Sequence, residues 1–116
     1  MAGTFEIFRD KAGEYRFRLK AGNGQVVLSS EGYGSKASAE NGVASVQTNC
    51  GDPASFASST TDSGKFRFNL KAKNHQVIGT SQNYDSADAR DNGIAAVARA
   101  AEGAKVVDLS DAVDAS

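Results

Sequence analysis

The chain has 116 residues, of which 40% are apolar, and a formal net charge of −1 at pH 7. This length is typical of one domain, and the near-neutral charge lacks the clustered basicity of a dedicated nucleic-acid-binding protein. The N-terminal residues do not follow the pattern of a signal peptide, and no run approaches the roughly 18 apolar residues of a membrane span. We therefore expect a cytoplasmic protein with no membrane association.

The same unit occurs twice in the sequence. Residues 13–46 align with residues 64–97 at a constant offset of 51, without a gap. A unit of about 50 residues buries too little surface to be comfortably stable alone, so we expect the two copies to share one core. The predicted boundaries are a single domain over residues 1–110, with repeat one at 3–52 and repeat two at 54–109, and a flexible acidic tail at 111–116.

Repeat one begins with three predicted strands. A short strand over residues 5–9 is followed by a turn at 10–13, and residues 15–20 then alternate strictly between apolar and basic side chains. Such alternation is typical of an antiparallel strand with one buried face. The turn at residues 22–24, Gly-Asn-Gly, accepts positive φ, so residues 25–29 are predicted to return as a third strand.

A helix follows these strands. Tyr33 lies two residues before Ser35, whose hydroxyl is a typical N-cap acceptor, and apolar residues then recur at helical spacing as far as Asn49. Gly42 falls inside this helix, where a glycine costs about 1 kcal/mol relative to alanine. Its recurrence as Gly93 in the second helix predicts that each helix backbone closely approaches the sheet or the other helix.

Repeat two has the same order of strands. Its first strand, over residues 54–61, is weakly marked, because Phe56 is surrounded by serine, threonine and alanine. The next two strands are predicted at 65–71 and 76–81. In the turn between them the glycines that flank the asparagine of repeat one are replaced, so Asn74 is expected to carry the positive φ.

The second helix and a last strand complete the chain. Ser86 is the predicted N-cap of this helix, which should end at Gly103, and residues 105–109 form a short final strand. Together the elements predict a pseudo-symmetric α+β domain. One antiparallel sheet built from both repeats would carry the two helices on one face.

Two segments of the sequence resemble a known bacterial family. They are Phe17-Arg18-Leu19-Lys20-Ala21-Gly22-Asn23-Gly24-Gln25 and the stretch from Ser81-Gln82-Asn83-Tyr84 to Gly93-Ile94. The chain looks like the tandem-repeat form of the YegP-like proteins, whose function is uncharacterised, over residues 3–109. The resemblance implies two β(3)-α-β units that share a single sheet and exchange their C-terminal strands. This gives a place to residues 54–61 and 105–109, and it implies no catalytic residue and no cofactor.

The sheet face opposite the helices is the main candidate for a binding surface. The apolar residues of each second strand should point into the core, so the alternate side chains point outward. These outward residues are Arg16, Arg18, Lys20, Arg67, Asn69 and Lys71. In one interpretation the two rows form an extended cationic surface. In the other they are a solvated face, on which long side chains cover the sheet.

Tyr33 and Tyr84 are the second candidate feature, because a tyrosine precedes the helix N-cap in each copy. In a functional interpretation they form a paired surface site across the two-fold axis. In a structural interpretation each ring packs where the strand leads into the helix and leaves its hydroxyl at the edge. The structural interpretation is favoured for these tyrosines.

The remaining reactive residues do not form a chemical site in the sequence. One cysteine, Cys50, and one histidine, His75, cannot build a His/Cys zinc site. The acids at 85, 88 and 91 are favourably placed at a helix N-terminus, with a divalent-ion site as the alternative. Cys50 lies near a helix C-terminus, whose negative potential would raise the pKa of a thiol. We predict no catalytic residue, no cofactor and no metal site.

The sequence favours a small, non-enzymatic binding or interaction module that uses the cationic sheet face. Its partner would be an anionic ligand or a protein, and the tandem repeat should make the monomer self-sufficient. Weak binding of single-stranded nucleic acid is one alternative, and it needs aromatic side chains such as Phe8 on the cationic face. An enzyme with a cleft between the repeats is another, and it needs a water-excluding pocket with perturbed titratable groups.

Overall fold

The computed structural model describes residues 3–113 as one seven-stranded sheet with two helices. The helices are α1 (Lys36–Asn49) and α2 (Ala87–Ala101), and a 3-10 turn at Pro53–Ser55 follows α1. The strands are β1 (Thr4–Arg9), β2 (Tyr15–Lys20), β3 (Val26–Ser29), β4 (Phe56–Thr60), β5 (Phe66–Lys71), β6 (Val77–Thr80) and β7 (Lys105–Val113). Neither helix within this range is long and apolar enough to cross a membrane.

The sheet joins the two repeats edge to edge in the order β4-β5-β6-β3-β2-β1-β7. The repeats meet where β3 pairs antiparallel with β6 at Ser29 and Thr80. The predicted α+β fold with one shared sheet is therefore confirmed. The sheet is mixed, because β7 follows the helical crossover of α2 and pairs with β1 in parallel, with Thr4 opposite Lys105.

The two repeats use the same strand register. Phe5 faces Leu19 across β1 and β2, and Phe56 faces Leu70 across β4 and β5. Both β-hairpins that follow carry an irregularity at the same place, after Leu19 in repeat one and after Leu70 in repeat two. The offset of the sequence repeat is thus preserved in the backbone pairing of the first three strands of each copy.

The turn of repeat two differs from the prediction in one residue. His75, with φ of 69°, occupies the left-handed region, as does its counterpart Gly24 with φ of 85°. The prediction that Asn74 carries the positive φ is wrong. The side chain of Asn74 instead accepts a hydrogen bond from the backbone N–H of Gln76 at 3.1 Å, which holds the turn from the preceding position.

Both helices begin as the sequence predicts. Ser35 accepts a hydrogen bond from the N–H of Ser38 at 3.2 Å, and Ser86 accepts one from the N–H of Ala89 at 3.1 Å. The helices end at Asn49 and Ala101, so α2 stops two residues before Gly103, which adopts positive φ. Each helix is therefore bounded by local features of its own repeat.

A single hydrophobic core fills the space between the sheet and the helices. Phe5, Phe17, Leu19, Phe68 and Leu70 have no exposed surface, and the buried faces of α1 and α2 complete the cluster. Each helix also packs across the repeat boundary: α1 contacts β5 and β6, and α2 contacts β1, β2 and β3. Because each helix covers strands of both copies, the repeats share their core.

The last strand is longer than predicted. β7 continues to Val113, so residues 111–113 of the segment predicted as a flexible tail belong to the sheet. The reason is that β1 offers a free edge along its whole length, and the pairing continues to Arg9 opposite Val113. The rest of the predicted tail, residues 114–116, lies outside the described residues.

Candidate functional site

The six outward residues of β2 and β5 lie on the sheet face away from the helices. They alternate with Phe17, Leu19, Phe68 and Leu70, which are buried beneath the helices. The outward set is Arg16, Arg18, Lys20, Arg67, Asn69 and Lys71. The open face thus carries two rows of polar side chains, one from each repeat, separated by β3 and β6.

The three cations of repeat one are paired with carboxylates. The Nε of Arg16 donates to Asp10 at 2.6 Å, and the Nε of Arg18 donates to Glu6 at 2.7 Å. The ammonium of Lys20 lies 3.3 Å from the same Glu6 carboxylate. These acids neutralise much of the positive charge that the sequence alone assigns to this row.

The pairing is reflected in the acidity of both carboxyl groups. The hydrogen bond from Arg16 is the main cause of the lowered pKa of Asp10. For Glu6, burial by itself would raise the pKa, but the hydrogen bonds and charges of Arg18 and Lys20 outweigh it, so its pKa is lowered. Both acids therefore remain ionised beside their cations at neutral pH.

Phe8 reaches the open face, where Arg18 covers it. Phe8 lies opposite Arg16 in the strand register, and the guanidinium carbon of Arg18 is 4.6 Å from the centroid of the Phe8 ring. This is a cation–π distance. One face of the ring is thereby occupied and is not free to stack on a nucleic-acid base.

The basic row of repeat two has lost these carboxylates. At the offset of 51, Glu6 is replaced by Ala57 and Asp10 by Thr61. Thr61 keeps the turn, since its hydroxyl accepts a hydrogen bond from the N–H of Lys65 at 3.0 Å, but it carries no charge. Arg67 is exposed and Lys71 is half-buried, and neither takes part in an ion pair with any residue of the described range.

The remaining member of this row is neutral. Asn69 stands where repeat one has Arg18, and its carbonyl oxygen accepts a hydrogen bond from the hydroxyl of Thr80 on β6 at 2.9 Å. The Glu6–Arg18 ion pair is therefore replaced as a unit by Ala57 and Asn69, which face each other in the same register. Positive charge without a carboxylate is concentrated at Arg67 and Lys71.

Tyr33 and Tyr84 lie on the helix side of the sheet, away from the cations. The Tyr33 ring stacks on Phe17 at 6.3 Å between centroids, and Tyr84 stacks on Phe68 at the same distance. Burial, with the negative charge of Glu31 as a second cause, raises the pKa of Tyr33. The structure therefore does not bring the two tyrosines together with the basic rows.

The helix glycines make room for these tyrosines. A Cβ atom on Gly42 would lie 2.8 Å from the Tyr33 hydroxyl, and one on Gly93 would lie 2.6 Å from Cζ of Tyr84. Real Cβ atoms do not approach other atoms so closely. The predicted close approach thus occurs between each helix backbone and the tyrosine of its own repeat, and at Gly42 also with the Phe17 ring of β2, 2.7 Å from the same Cβ position.

The other reactive side chains are separated from one another. Cys50 caps α1 and is buried, and burial is the first cause of its raised pKa. Asp85 pairs with Lys65, and Asp91 pairs with Arg90. His75 is exposed in its turn. Among residues 3–113 there is no group of three or more potential metal ligands.

Among the grooves that residues of both repeats line, two are related by the same offset. One, of about 420 Å³, lies between α1 and the turn that contains Lys73. The other, of about 310 Å³, lies between α2 and the turn of repeat one, and Arg99 is its one ionisable side chain. Neither of these two grooves combines an acid with a base, which is the arrangement that general acid–base catalysis uses. A larger groove of about 570 Å³ does, because Glu6, Lys20 and Lys105 line it, but there Glu6 is already paired with Lys20 and Arg18.

Comparison with known proteins bears on this arrangement. A family described as a domain of unknown function, DUF1508, matches residues 10–55 and again residues 62–108. The UPF0339 protein encoded in the 5′ region of a ptx operon in Stutzerimonas stutzeri is 56% identical over 109 residues, which are 94% of this chain and 98% of that protein. The chain belongs to the YegP-like UPF0339 family. YegP of Escherichia coli K12 is 52% identical over 97 residues, covering 84% of this chain and 88% of YegP.

Solved structures of the YegP-like family have the same fold. The solution structure of E. coli YegP, a protein of unknown function, matches with a TM-score of 0.90 at 47% identity and covers 95% of both chains. A UPF0339 protein of Shewanella oneidensis matches with a TM-score of 0.90 at 46% identity, covering 97% of this chain and 95% of its own. These relatives are uncharacterised, so they supply a fold and a family but no activity.

Sequence reasoning identified the cations but not the acids that pair with them. The sequence places Asp10 in a turn and Glu6 in a strand, and its local pattern names no partner for either. The signal was present, because a tight turn at residues 10–13 fixes an antiparallel register that places Glu6 opposite Arg18. Comparing the two copies at these positions would have shown that the repeats differ in charge on the open face.

Proposed function

We propose that this protein is a binding module that holds an anionic partner on the open sheet face of repeat two. The observation that supports the proposal is the loss of both neutralising acids from repeat two while Arg67 and Lys71 are retained. Two cations without a carboxylate partner, of which Arg67 is exposed and Lys71 half-buried, attract an anion over a distance set by the salt concentration. Asn69 and Thr80 add polar groups beside them.

An acidic protein segment fits this surface better than single-stranded nucleic acid. Nucleic-acid binding without sequence preference combines a basic track with stacking aromatic rings. Phe8 is the aromatic residue on this face, but it lies in repeat one beneath Arg18. The surface around Arg67 instead presents small and hydroxyl side chains, such as Ala57 and Ser59, which suit a polypeptide backbone at close range.

The pseudo-symmetry of the chain supplies a matched test. Arg67→Ala/Lys71→Ala and Arg16→Ala/Lys20→Ala remove the same residue types from equivalent positions and change the net charge equally. We would measure binding of a fluorescent polyglutamate peptide and of oligo(dT) of equal length by anisotropy at low salt. The first variant should bind polyglutamate about tenfold more weakly, equivalent to about 1.4 kcal/mol.

The repeat-one variant should retain most of the binding, because its cations are already paired with Glu6 and Asp10. Equal losses in the two variants would show that only net charge matters, and the proposal would be wrong. Preference for oligo(dT) over polyglutamate that persists as salt is raised would instead favour the nucleic-acid alternative.

A further inference from the structure

The outer edge of β4 has no neighbouring strand in the described part of the chain, although its counterpart β1 has one. β1 lies between β2 and β7, whereas β4 pairs with β5 alone and ends the sheet. The two strands are equivalent, since they pair with β2 and β5 in the same register. By the symmetry of the repeats, the position beside β4 corresponds to the one that β7 fills beside β1.

Chain connectivity explains this difference between the edges. The strand that follows α2 is β7, which crosses to repeat one and pairs with β1. The chain that follows α1 passes through Pro53–Ser55 directly into β4. This segment forms β4 itself, the first strand of repeat two, so it cannot also provide the strand beside β4. A tandem chain therefore provides one crossover strand for two equivalent edges.

The side chains of β4 show the effect of the missing neighbour. Phe5 has no exposed surface and faces Val106 of β7, whereas its counterpart Phe56 is half-buried. Ile7 is 1% exposed, and its counterpart Ser58 is exposed. An added strand with an apolar residue opposite Phe56 would take the position that Val106 holds opposite Phe5 beside β1.

β4 also lacks the features that protect the edges of natural sheets. Such edges are blunted by charged side chains, by proline within the strand or by bulges. The opposite edge strand, β7, carries Lys105 and Asp108 and has an irregular register with β1. β4, with the sequence Phe-Ala-Ser-Ser-Thr, has no charge and no proline and pairs with β5 without a register shift. Of the two edges, β4 is the one open to strand addition.

Charge identifies the kind of strand that suits this edge. Arg67 and Lys71 lie on the neighbouring strand, and two strand spacings, about 10 Å, would separate them from the backbone of an added strand. Outward residues of that strand would therefore lie near these cations. Pairing of β4 with β4 of a second copy would bring two such rows together, which like-charge repulsion disfavours.

We propose that β4 accepts an extended segment of another polypeptide, parallel to β4, with apolar residues toward the helices and acidic residues toward Arg67 and Lys71. The backbone would supply affinity through the free edge, and the alternating side chains would supply specificity. The acidic half of this description rests on the proposed function. The strand addition rests on the internal symmetry alone.

The β7 sequence is the natural probe, because it already pairs with the equivalent strand. We would titrate the isotope-labelled full chain with a peptide of residues 103–113 that carries Lys105→Glu and Val107→Glu, positions that face outward beside β1. A control peptide carries the same acids plus Val106→Pro and Leu109→Pro, which preserve charge but prevent regular pairing. Backbone amide shifts and hydrogen exchange of residues 56–60 are the readout.

The expected result is that the acidic peptide shifts and protects the β4 amides, that the proline peptide does not, and that Arg67→Ala/Lys71→Ala weakens binding several-fold. Equal binding of the proline peptide would overturn strand addition and leave the proposed function standing. Concentration-dependent protection of β4 without peptide would also overturn it, since the occupant would be a second copy. The unmodified β7 peptide lacks the added acids. If it protects β4 as well as the acidic peptide does, both in the parent protein and in Arg67→Ala/Lys71→Ala, the acidic specificity and the proposed function are wrong.

Discussion

Leu28 and Gly79 occupy equivalent positions in the two repeats and contact each other across the pseudo-two-fold axis. A Cβ atom on Gly79 would lie 2.6 Å from Cγ of Leu28 and 2.7 Å from one of its methyl groups. Equivalent residues meet at this axis, so two large side chains would compete for the same space. The two copies therefore carry different residues here, and the leucine of repeat one fills the volume beside the glycine of repeat two.

We expect Gly79→Leu to destabilise the protein by about 2 kcal/mol or more, because overpacking forces buried neighbours to shift. Exchanging the two residues in the double variant Leu28→Gly/Gly79→Leu should recover a substantial part of that loss, since the volume at the axis is restored. Urea unfolding followed by circular dichroism measures both values. If the double variant loses as much free energy of unfolding as the two single variants lose together, Leu28 and Gly79 are not coupled across the axis.

The hairpin turns show how one element is adapted in each copy. Gly24 and His75 hold the same left-handed position, with φ of 85° and 69°. Only glycine adopts this region without strain, and other L-residues incur about 1–2 kcal/mol there. Both turns are closed by the preceding asparagine, which accepts from the N–H two residues later in each case. The turn of repeat two therefore keeps its geometry despite an unfavourable residue.

Replacing that histidine should stabilise the protein. We expect His75→Gly to raise the free energy of unfolding by about 0.5–1 kcal/mol, because the relief of strain exceeds the entropy that glycine adds to the unfolded chain. Gly24→His is the reciprocal control and should lower stability by a similar amount. Thermal unfolding of the two variants tests the pair. A loss of stability in His75→Gly would mean that the histidine side chain makes a stabilising interaction of its own.

The equivalent strands β1 and β4 also differ in their neighbours, since only β4 lies at an end of the sheet. β1 is enclosed by β2 and β7, and β4 has one partner in the described chain. β1 accordingly carries buried residues such as Ile7, whereas β4 carries serine and threonine. The small and hydroxyl side chains of β4 make this strand difficult to recognise from the sequence. They are also the residues expected in a strand whose outer edge faces solvent.

At the scale of the whole molecule, charge is distributed unequally between two halves of nearly equal backbone. The open face of repeat one holds a compact network of Glu6, Arg18 and Lys20, in which Glu6 is 17% exposed. In repeat two the corresponding face retains two of the three cations and neither acid. The fold is duplicated, but its electrostatic surface is not.

This asymmetry predicts which half of the molecule is sensitive to acid. Because the pKa of folded Glu6 is lowered, its stabilising contribution is complete above the ordinary range of a glutamate and is lost as the pH falls through the folded pKa. At neutral pH, Glu6→Gln should cost about 1 kcal/mol, since Arg18 and Lys20 lose an ionised partner. The difference from the parent protein should shrink as the pH falls through the folded pKa of Glu6 and vanish below it.

Urea unfolding at a series of pH values provides the measurement. Glu40→Gln, on the exposed surface of α1, removes a carboxylate that is in no described ion pair and controls for the change in net charge. A difference between Glu6→Gln and the parent protein that stays constant down to low pH would contradict the assignment. It would mean that the Glu6 side chain stabilises by packing alone.

Features that depend on a few neighbouring residues follow from the sequence alone. The N-caps at Ser35 and Ser86 and the alternation of β2 and β5 were all predictable, because each depends on contacts within about four residues or on a period of two. The offset of 51 predicted a shared core, since half of this chain is too small to fold comfortably alone.

The pairing of distant segments is visible only in the folded chain. Folding places β7 beside β1, pairs Glu6 with Arg18, and leaves Arg67 without an acid and β4 without an outer neighbour among the described strands. These outcomes depend on strand register and chain connectivity, which join residues far apart in sequence. The Glu6–Arg18 pair is the exception, because the tight turn at residues 10–13 already fixes the register that joins them.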